Sequence, residues 1–379
     1  MKHVVLLLAA CLSVASARAW EPQQALVSIA ARPYDAAALQ SLGLVITDAG
    51  PDGVRGLAAA DALSRIRAAG WAVTVELDDY AAHDPCDDSG PLGFYHSYAQ
   101  VRDTLAAFAR RHPDICRLDT IGYSVQGRLL LALRVSGNIA LAENEPRTRL
   151  DGNIHGNEKI GCEMVMHFAH AVCDSYGLSP RLTALVDNQE LTLIPMVNPD
   201  GAVANVRTNA NNVDLNRDFG YMWDAWGGSP DWCSQPETRA LRSDCAARDY
   251  CLSFTYHSGA VCVIYPWMYT PVPTADDRLY KRLVWAYHSA TGYDTIRSYR
   301  WYQTRGQSMD DRYGLDGTIE ASAELHQSNP PPESIRHRCQ QNFEATLYFL
   351  EKAGTGIHGR VLNAVTGEAH QRVERLAGH

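Results

Sequence analysis

Between residues 25 and 77 the spacing of apolar side chains alternates between a two-residue period and a period of three to four. Residues 25–29 predict a strand, 34–42 a helix and 44–47 a strand. After an Asp52-Gly53 turn, residues 54–57 predict a strand, 61–69 a helix with Asp61 at its N-cap, and 71–77 a strand. The β-α-β-β-α-β order predicts a small ferredoxin-like α+β domain over residues 20–80. Residues 81–91 are polar and turn-rich, carrying Asp84-Pro85, Asp87-Asp88 and Gly90-Pro91, and predict a linker.

Beyond the linker, residues 97–110 predict an amphipathic helix, 122–127 a turn, 129–135 a strand and 161–171 a helix. Helix and strand patterns then alternate to about residue 352, which predicts an α/β domain over residues 92–353 with a central β-sheet flanked by helices on both faces. Sheets of that kind collect ligands at the loops beyond the C-terminal ends of their strands. Residues 354–379 differ: a strand-like stretch at 358–362 and a Thr366-Gly367 turn, too short for a domain.

At 379 residues the chain exceeds what one core of roughly 250–300 residues holds, which agrees with two units. The first residues set the compartment. Lys2 and His3, an apolar run over residues 4–12 and the small-residue site Ala17-Arg18-Ala19 predict a cleaved signal peptide over residues 1–19, and hence a secreted or periplasmic protein. The run is short of the roughly 20 residues that span a bilayer, so no integral membrane segment is expected once it is removed. Leu8-Ala9-Ala10-Cys11 resembles a lipobox, and anchoring at Cys11 is the alternative. A net charge of -9 argues against nucleic acid or an anionic membrane as partner and leaves a small molecule or peptide. Nine of the ten cysteines lie beyond the leader, an odd number that leaves at least one thiol free within a monomer.

The sharpest chemical signal is Gly152-Asn153-Ile154-His155-Gly156-Asn157-Glu158, an imidazole and a carboxylate three residues apart in a glycine-flanked turn before a helix. His257, at the end of the strand-like Ser253-Phe254-Thr255-Tyr256, can supply a third ligand. Two histidines and one glutamate, with water in the fourth position, form an established hydrolytic zinc site. In a chain with 14 histidines such a pair also arises as a plain surface ion pair.

The surrounding motifs resemble the zinc carboxypeptidases, especially the branch containing carboxypeptidases N, E and D, over about residues 95–350. They are Ser124-Val125-Gln126-Gly127-Arg128, His155 to Glu158, Asn198-Pro199-Asp200-Gly201, Arg207, the run from Asn211 to Phe219, Gln235-Pro236-Glu237-Thr238, His257, Tyr265-Pro266, Trp301-Tyr302 and Glu324-Leu325. Each is modest alone, and their shared order is specific. The resemblance implies a mixed central sheet and one zinc ion held by His155, Glu158 and His257, which acidifies a water. It implies Glu324 as general base, Arg207 polarising the scissile carbonyl, Arg217 with Asn216 clamping the substrate's α-carboxylate, and Tyr302 closing over the bound C-terminal residue. Asp214 can accept a hydrogen bond from a zinc-bound imidazole. Without the resemblance both arginines read as solvated loop residues and Trp301-Tyr302 as core.

Relatives that cut after basic residues place an aspartate shortly after the Tyr-Pro motif, where this chain has Met268; before Glu324, Met309 stands in place of their glutamine. Two thioethers predict an apolar pocket for neutral or hydrophobic C-terminal residues, and Asp310 and Asp311 keep a basic preference open. The implied function is a secreted, monomeric zinc carboxypeptidase acting on peptide or protein C-termini. The alternatives are a carboxypeptidase of cell-wall peptides and a non-catalytic peptide-binding pseudoenzyme. The N-terminal unit stands where digestive relatives carry an activation propeptide, and the tail resembles the truncated start of a transthyretin-like β-domain.

Overall fold

The structure is a computed structural model that describes residues 24–32, 35–50, 53–77, 95–141 and 143–355. The signal peptide, the linker over residues 81–91 and the tail beyond residue 355 lie outside the described residues. The chain divides into two compact units between residues 87 and 88.

The first unit runs β1 (Gln24–Ile29), α1 (Ala36–Ser41), β2 (Val45–Gly50), β3 (Gly53–Ala59), α2 (Ala60–Ala68) and β4 (Val73–Leu77). Its four strands pair antiparallel in the order β2-β3-β1-β4, the ferredoxin-like arrangement. Val27, Ile29, Leu39 and Ile66 form its core. One local expectation changes: α2 is capped at Ala59 rather than Asp61, and Asp61 sits inside the first turn, paired with Arg65 at 2.7 Å.

The second unit opens with α3 (Tyr98–Arg111), whose start is fixed by a reciprocal capping box between Ser97 and Gln100. There follow β5 (Cys116–Tyr123), β6 (Leu129–Val135), β7 (Arg147–Gly152), α4 (Lys159–Asp174), α5 (Pro180–Asp187), β8 (Glu190–Ile194), α6 (Pro199–Ala204) and α7 (Pro236–Arg248). The chain continues through β9 (Leu252–His257), β10 (Cys262–Tyr265), α8 (Asp277–Thr291), β11 (Asp294–Arg297), α9 (Ser308–Asp311), β12 (Ile319–Glu324) and α10 (Pro332–Glu351). The eight strands form a mixed sheet in the order β11-β10-β12-β9-β7-β8-β6-β5. Its centre, β12-β9-β7-β8, is parallel, so these strands end on the same edge.

The two faces of β9 differ in chemistry because side chains alternate along a strand. Phe254 and Tyr256 face helices: the Phe254 ring stacks on Tyr287 of α8 at 5.1 Å and meets Phe349 of α10 edge-on at 5.1 Å, and the Tyr256 hydroxyl bonds Thr346 of α10 at 2.6 Å. Ser253, Thr255 and His257 face the other way, where Thr255 donates to Asp151 of β7 at 2.8 Å. The turn expected at residues 122–127 starts later, since β5 runs through Tyr123, and α4 is longer at both ends than the 161–171 expectation. Among the buried thiols, Cys116 and Cys173 stand with their sulfurs 3.4 Å apart.

Phe254 ties the central strand to two helices, so Phe254→Ala is expected to lower the unfolding free energy by about 3–5 kcal/mol. Urea denaturation of the purified protein checks this; a loss below about 1 kcal/mol would mean the aromatic stack contributes little.

Candidate metal centre and substrate pocket

The loop after β7 turns sharply and is held by two asparagines. Asn153, at a positive φ of 59°, donates through its side chain to the carbonyls of His155 and Gly156 at 2.9 and 3.1 Å. The Asn198 amide donates to the Ile154 carbonyl at 3.2 Å and accepts from the Gly201 N–H at 2.9 Å. Glycine is required at 156, because a Cβ there would lie 2.0 Å from the backbone of Gly201. The loop thereby delivers His155 and, just before α4, Glu158. The register of the parallel strands does the rest: His257 ends β9, Glu324 ends β12, and the two are directly paired.

His155, Glu158 and His257 offer ligand atoms that all lie within 4.8 Å of one another, and all three residues are buried. His155 Nδ1 is 2.9 Å from Glu158 Oε1, His257 Nδ1 is 2.9 Å from Glu158 Oε2, and the two Nδ1 atoms are 3.2 Å apart. Three electron-rich groups facing one another in a buried site need a cation or shared protons between them. A nitrogen, nitrogen and carboxylate set is the donor chemistry zinc takes, so the residues fit that ion. The second nitrogen of His155, Nε2, lies 3.2 Å from Asp214 Oδ1; donation there fixes the tautomer that leaves the Nδ1 lone pair free. The backbone N–H of Ser258 also donates to Glu158 Oε2 at 3.2 Å.

The electrostatics agree with this packing. Burial would raise the Glu158 carboxyl, yet the His155 and His257 imidazoles hold it well below the usual carboxylate range. Asp214 behaves alike, with burial opposed by His155, Arg207 and Arg217. Burial pushes His155 down, and the Glu158 and Asp214 carboxylates more than reverse it.

β12 carries two glutamates, and they differ. Glu320 is fully buried and paired with Arg312 at 2.7 Å and Arg149 at 3.6 Å. Glu324 has no arginine within ion-pair distance among the described residues, its Oε2 has no hydrogen-bond partner, and burial raises its pKa above the ordinary glutamate value. Arg207 bridges Glu158 and Asp214 from the side, at 3.3 Å and 3.0 Å.

Arg217 is buried, at 3% exposure, without a carboxylate partner among the described residues. Its guanidinium donates to the Asn216 carbonyl at 2.6 Å and the Tyr302 hydroxyl at 3.3 Å, and its Nε has no partner. The Asn216 side-chain oxygen accepts from the Ser308 N–H at 3.0 Å.

A pocket opens beside the three ligands and is lined also by Arg207, Asn216, Tyr302, Met309 and Glu324. Met309 is thus one of the residues lining this pocket. Met268 does not line the pocket: it is fully buried, and its N–H donates to the Asp310 carboxylate at 3.1 Å. Loop length hid this, since nothing in the sequence fixes which residue after the Tyr-Pro motif turns inward. Ser308, Ser322 and Thr255 also line the pocket and were not anticipated; their only signal is that they share a strand face or turn with the anticipated residues.

A buried donor cluster at the C-terminal ends of the parallel central strands of a mixed sheet, with the Glu324 carboxylate beside it, has the donor chemistry of a mononuclear metal site of hydrolytic type. Residues 101–345 match the zinc carboxypeptidase family model, and the chain belongs to that family. It is 31% identical to the human carboxypeptidase N catalytic chain over 329 residues, covering 72% of each. It is 29% identical to carboxypeptidase D of Anas platyrhynchos over 315 residues, which is 73% of this chain and 22% of that much longer one. A solved structure of carboxypeptidase A from Helicoverpa armigera aligns with a TM-score of 0.65 at 18% identity, covering 88% of this chain and 98% of that one, and so shares its fold.

Asp310 gives a pH signature. Burial, reinforced by Asp311 and Glu320, pushes its carboxyl up to about 7 against the opposing N–H donors of Met268 and Tyr269. Because the folded-state value lies above the unfolded one, the stability Asp310 contributes is fully present below the ordinary carboxylate range and is lost as pH rises through about 7. The urea midpoint of the wild type is expected to fall relative to Asp310→Asn over that rise; parallel curves would refute the assignment.

Proposed function

We propose that this protein is an exported zinc-dependent carboxypeptidase that removes the C-terminal residue of peptides, with neutral or hydrophobic residues preferred. The observation that carries the reading is the convergence of His155, Glu158 and His257 within 4.8 Å, beside Glu324, whose Oε2 has no hydrogen-bond partner among the described residues. His155, Glu158 and His257 would hold the zinc ion, which would supply Lewis-acid chemistry for acidifying a water and polarising a carbonyl. Glu324, raised by burial and without an arginine partner, takes the proton from the attacking water and returns it to the leaving amine. Arg207 faces the carbonyl oxygen as negative charge grows there. The buried Arg217 guanidinium, with Asn216, receives the substrate's terminal carboxylate through paired hydrogen bonds. The Tyr302 hydroxyl, on the same guanidinium, covers the bound residue, and Met309 supplies an apolar floor to its pocket.

Export rests on the leader sequence, and no helix among the described residues is long and apolar enough to cross a membrane.

Glu324→Gln keeps the shape of the general base but cannot take a proton. It is expected to bind one zinc per chain by elemental analysis while losing about 10²–10⁴-fold in kcat for release of free leucine from a peptide. A chelator abolishes wild-type activity, and a C-terminal amide is not cut. A Glu324→Gln protein with full zinc and full activity ends this mechanism. Met309→Asp is expected to move preference towards C-terminal lysine and arginine, read from kcat/KM on peptides differing in the last residue alone; an unchanged ranking removes Met309 from the pocket floor.

A further inference from the structure

Residues 224–228 form a tight turn, and it is pressed onto Arg217. Asp224 caps it by accepting from the Trp226 N–H at 3.1 Å, and Gly228 closes it at a φ of 82°. The Gly227 carbonyl accepts from the Asp214 N–H at 3.2 Å, and a Cβ on Gly227 would lie 2.0 Å from the Arg217 Cβ. The turn thereby fixes the Trp226 backbone beside the arginine. Its ring centroid is 5.4 Å from Arg217 Cζ, and that of Tyr302 is 5.9 Å from the same atom, while the indole itself is 71% exposed.

A lone exposed tryptophan is ordinary on a protein surface. This one is different because the cation beside it has no carboxylate within ion-pair distance among the described residues and leaves its Nε unpartnered. A buried guanidinium without an anion is held in place by whatever electron-rich surfaces surround it, and aromatic faces serve. The charge stays available because a π face attracts a cation without consuming its N–H donors, whereas a carboxylate would occupy them.

We propose that Trp226 is a positioning residue for substrate recognition: with Tyr302 it holds the Arg217 guanidinium against two aromatic faces, keeping it oriented and unneutralised for the terminal carboxylate. The inference rests on the reading of Arg217 as the carboxylate clamp, which the experiment below tests separately. Trp226 acts through Arg217, so its loss weakens binding of free C-termini rather than the chemical step.

The test uses the zinc-loaded protein and a peptide ending in leucine. Trp226→Ala is expected to raise KM about tenfold with kcat within about twofold. Trp226→Phe, which keeps a π face, recovers most of the loss, whereas Trp226→Leu, which keeps bulk alone, does not. A second readout needs no activity: on chelator-treated protein, saturation-transfer NMR compares N-acetyl-leucine with N-acetyl-leucinamide, and Trp226→Ala is expected to erase the preference for the acid. An unchanged KM, a loss confined to kcat, or a leucine variant as good as wild type each overturns the proposal. Arg217→Lys separates the two readings. If it raises KM while Trp226→Ala does not, only the role of Trp226 falls; if Arg217→Lys leaves KM unchanged, the clamp itself falls and takes this inference with it.

Discussion

Two imidazole nitrogens and a carboxylate, held within 4.8 Å of one another in a buried site, repel each other unless something positive lies between them. The fold must keep them there, and much of the second unit serves that constraint. Parallel pairing of β7, β9 and β12 brings three chain segments, distant in sequence, to one edge of the sheet. Asn153 and Asn198 lock the loop carrying His155, and Asp214 fixes that ring from behind. These supports are hydrogen bonds to backbone or to charge, and such bonds hold a ligand within the small tolerance a metal demands.

The same sheet separates structural charge from chemical charge. On the face of β7, β9 and β12 away from Phe254, Arg149, Asp151, Arg312 and Glu320 pair with one another. Each buried charge there has an opposite partner, the arrangement that burial normally demands. Around the ligand cluster the rule changes. Among the described residues, Glu324 at the end of β12 and Arg217 in the one-turn helix over residues 215–217 are buried without such partners, and they are the two groups whose proposed work needs a free proton acceptor and a free cation. A buried charge left uncompensated is destabilising, and its presence at both positions is physical support for a site where a ligand completes the balance.

How much of this was legible in the sequence follows from which interactions are local. The ferredoxin-like unit could be read because each of its elements switches period within a few residues, and the sheet because helix and strand patterns alternate. Asp61 misled because N-capping propensity is weak where Ala59 already has extended backbone and the helix starts one residue earlier. His155 and Glu158 were visible as a local pair and His257 as a candidate third ligand at a strand end, but the pairing of Glu324 with His257 is a matter of register, and only the resemblance to the zinc carboxypeptidases pointed to Glu324. Met309 sits in α9, whose first residue Ser308 is anchored to Asn216, and it lines the pocket. Met268 lies in a loop where counting fails, and it turned into the interior against Asp310. Trp226 had no signal, since what matters about it is the guanidinium beneath the ring.

Charge balance joins the metal centre to the substrate pocket. On the proposed reading, the doubly charged ion and the guanidiniums of Arg207 and Arg217 face the carboxylates of Glu158, Asp214 and an ionised Glu324. One positive charge is left over, and it resides on the arginine that two aromatic rings cover instead of a carboxylate. A peptide with a free C-terminus brings the one negative charge that neutralises it; an internal segment or an amidated end brings none. On that reading, selection for chain ends rests on charge balance at Arg217 and needs no steric stop, because an unneutralised charge is felt strongly in buried surroundings.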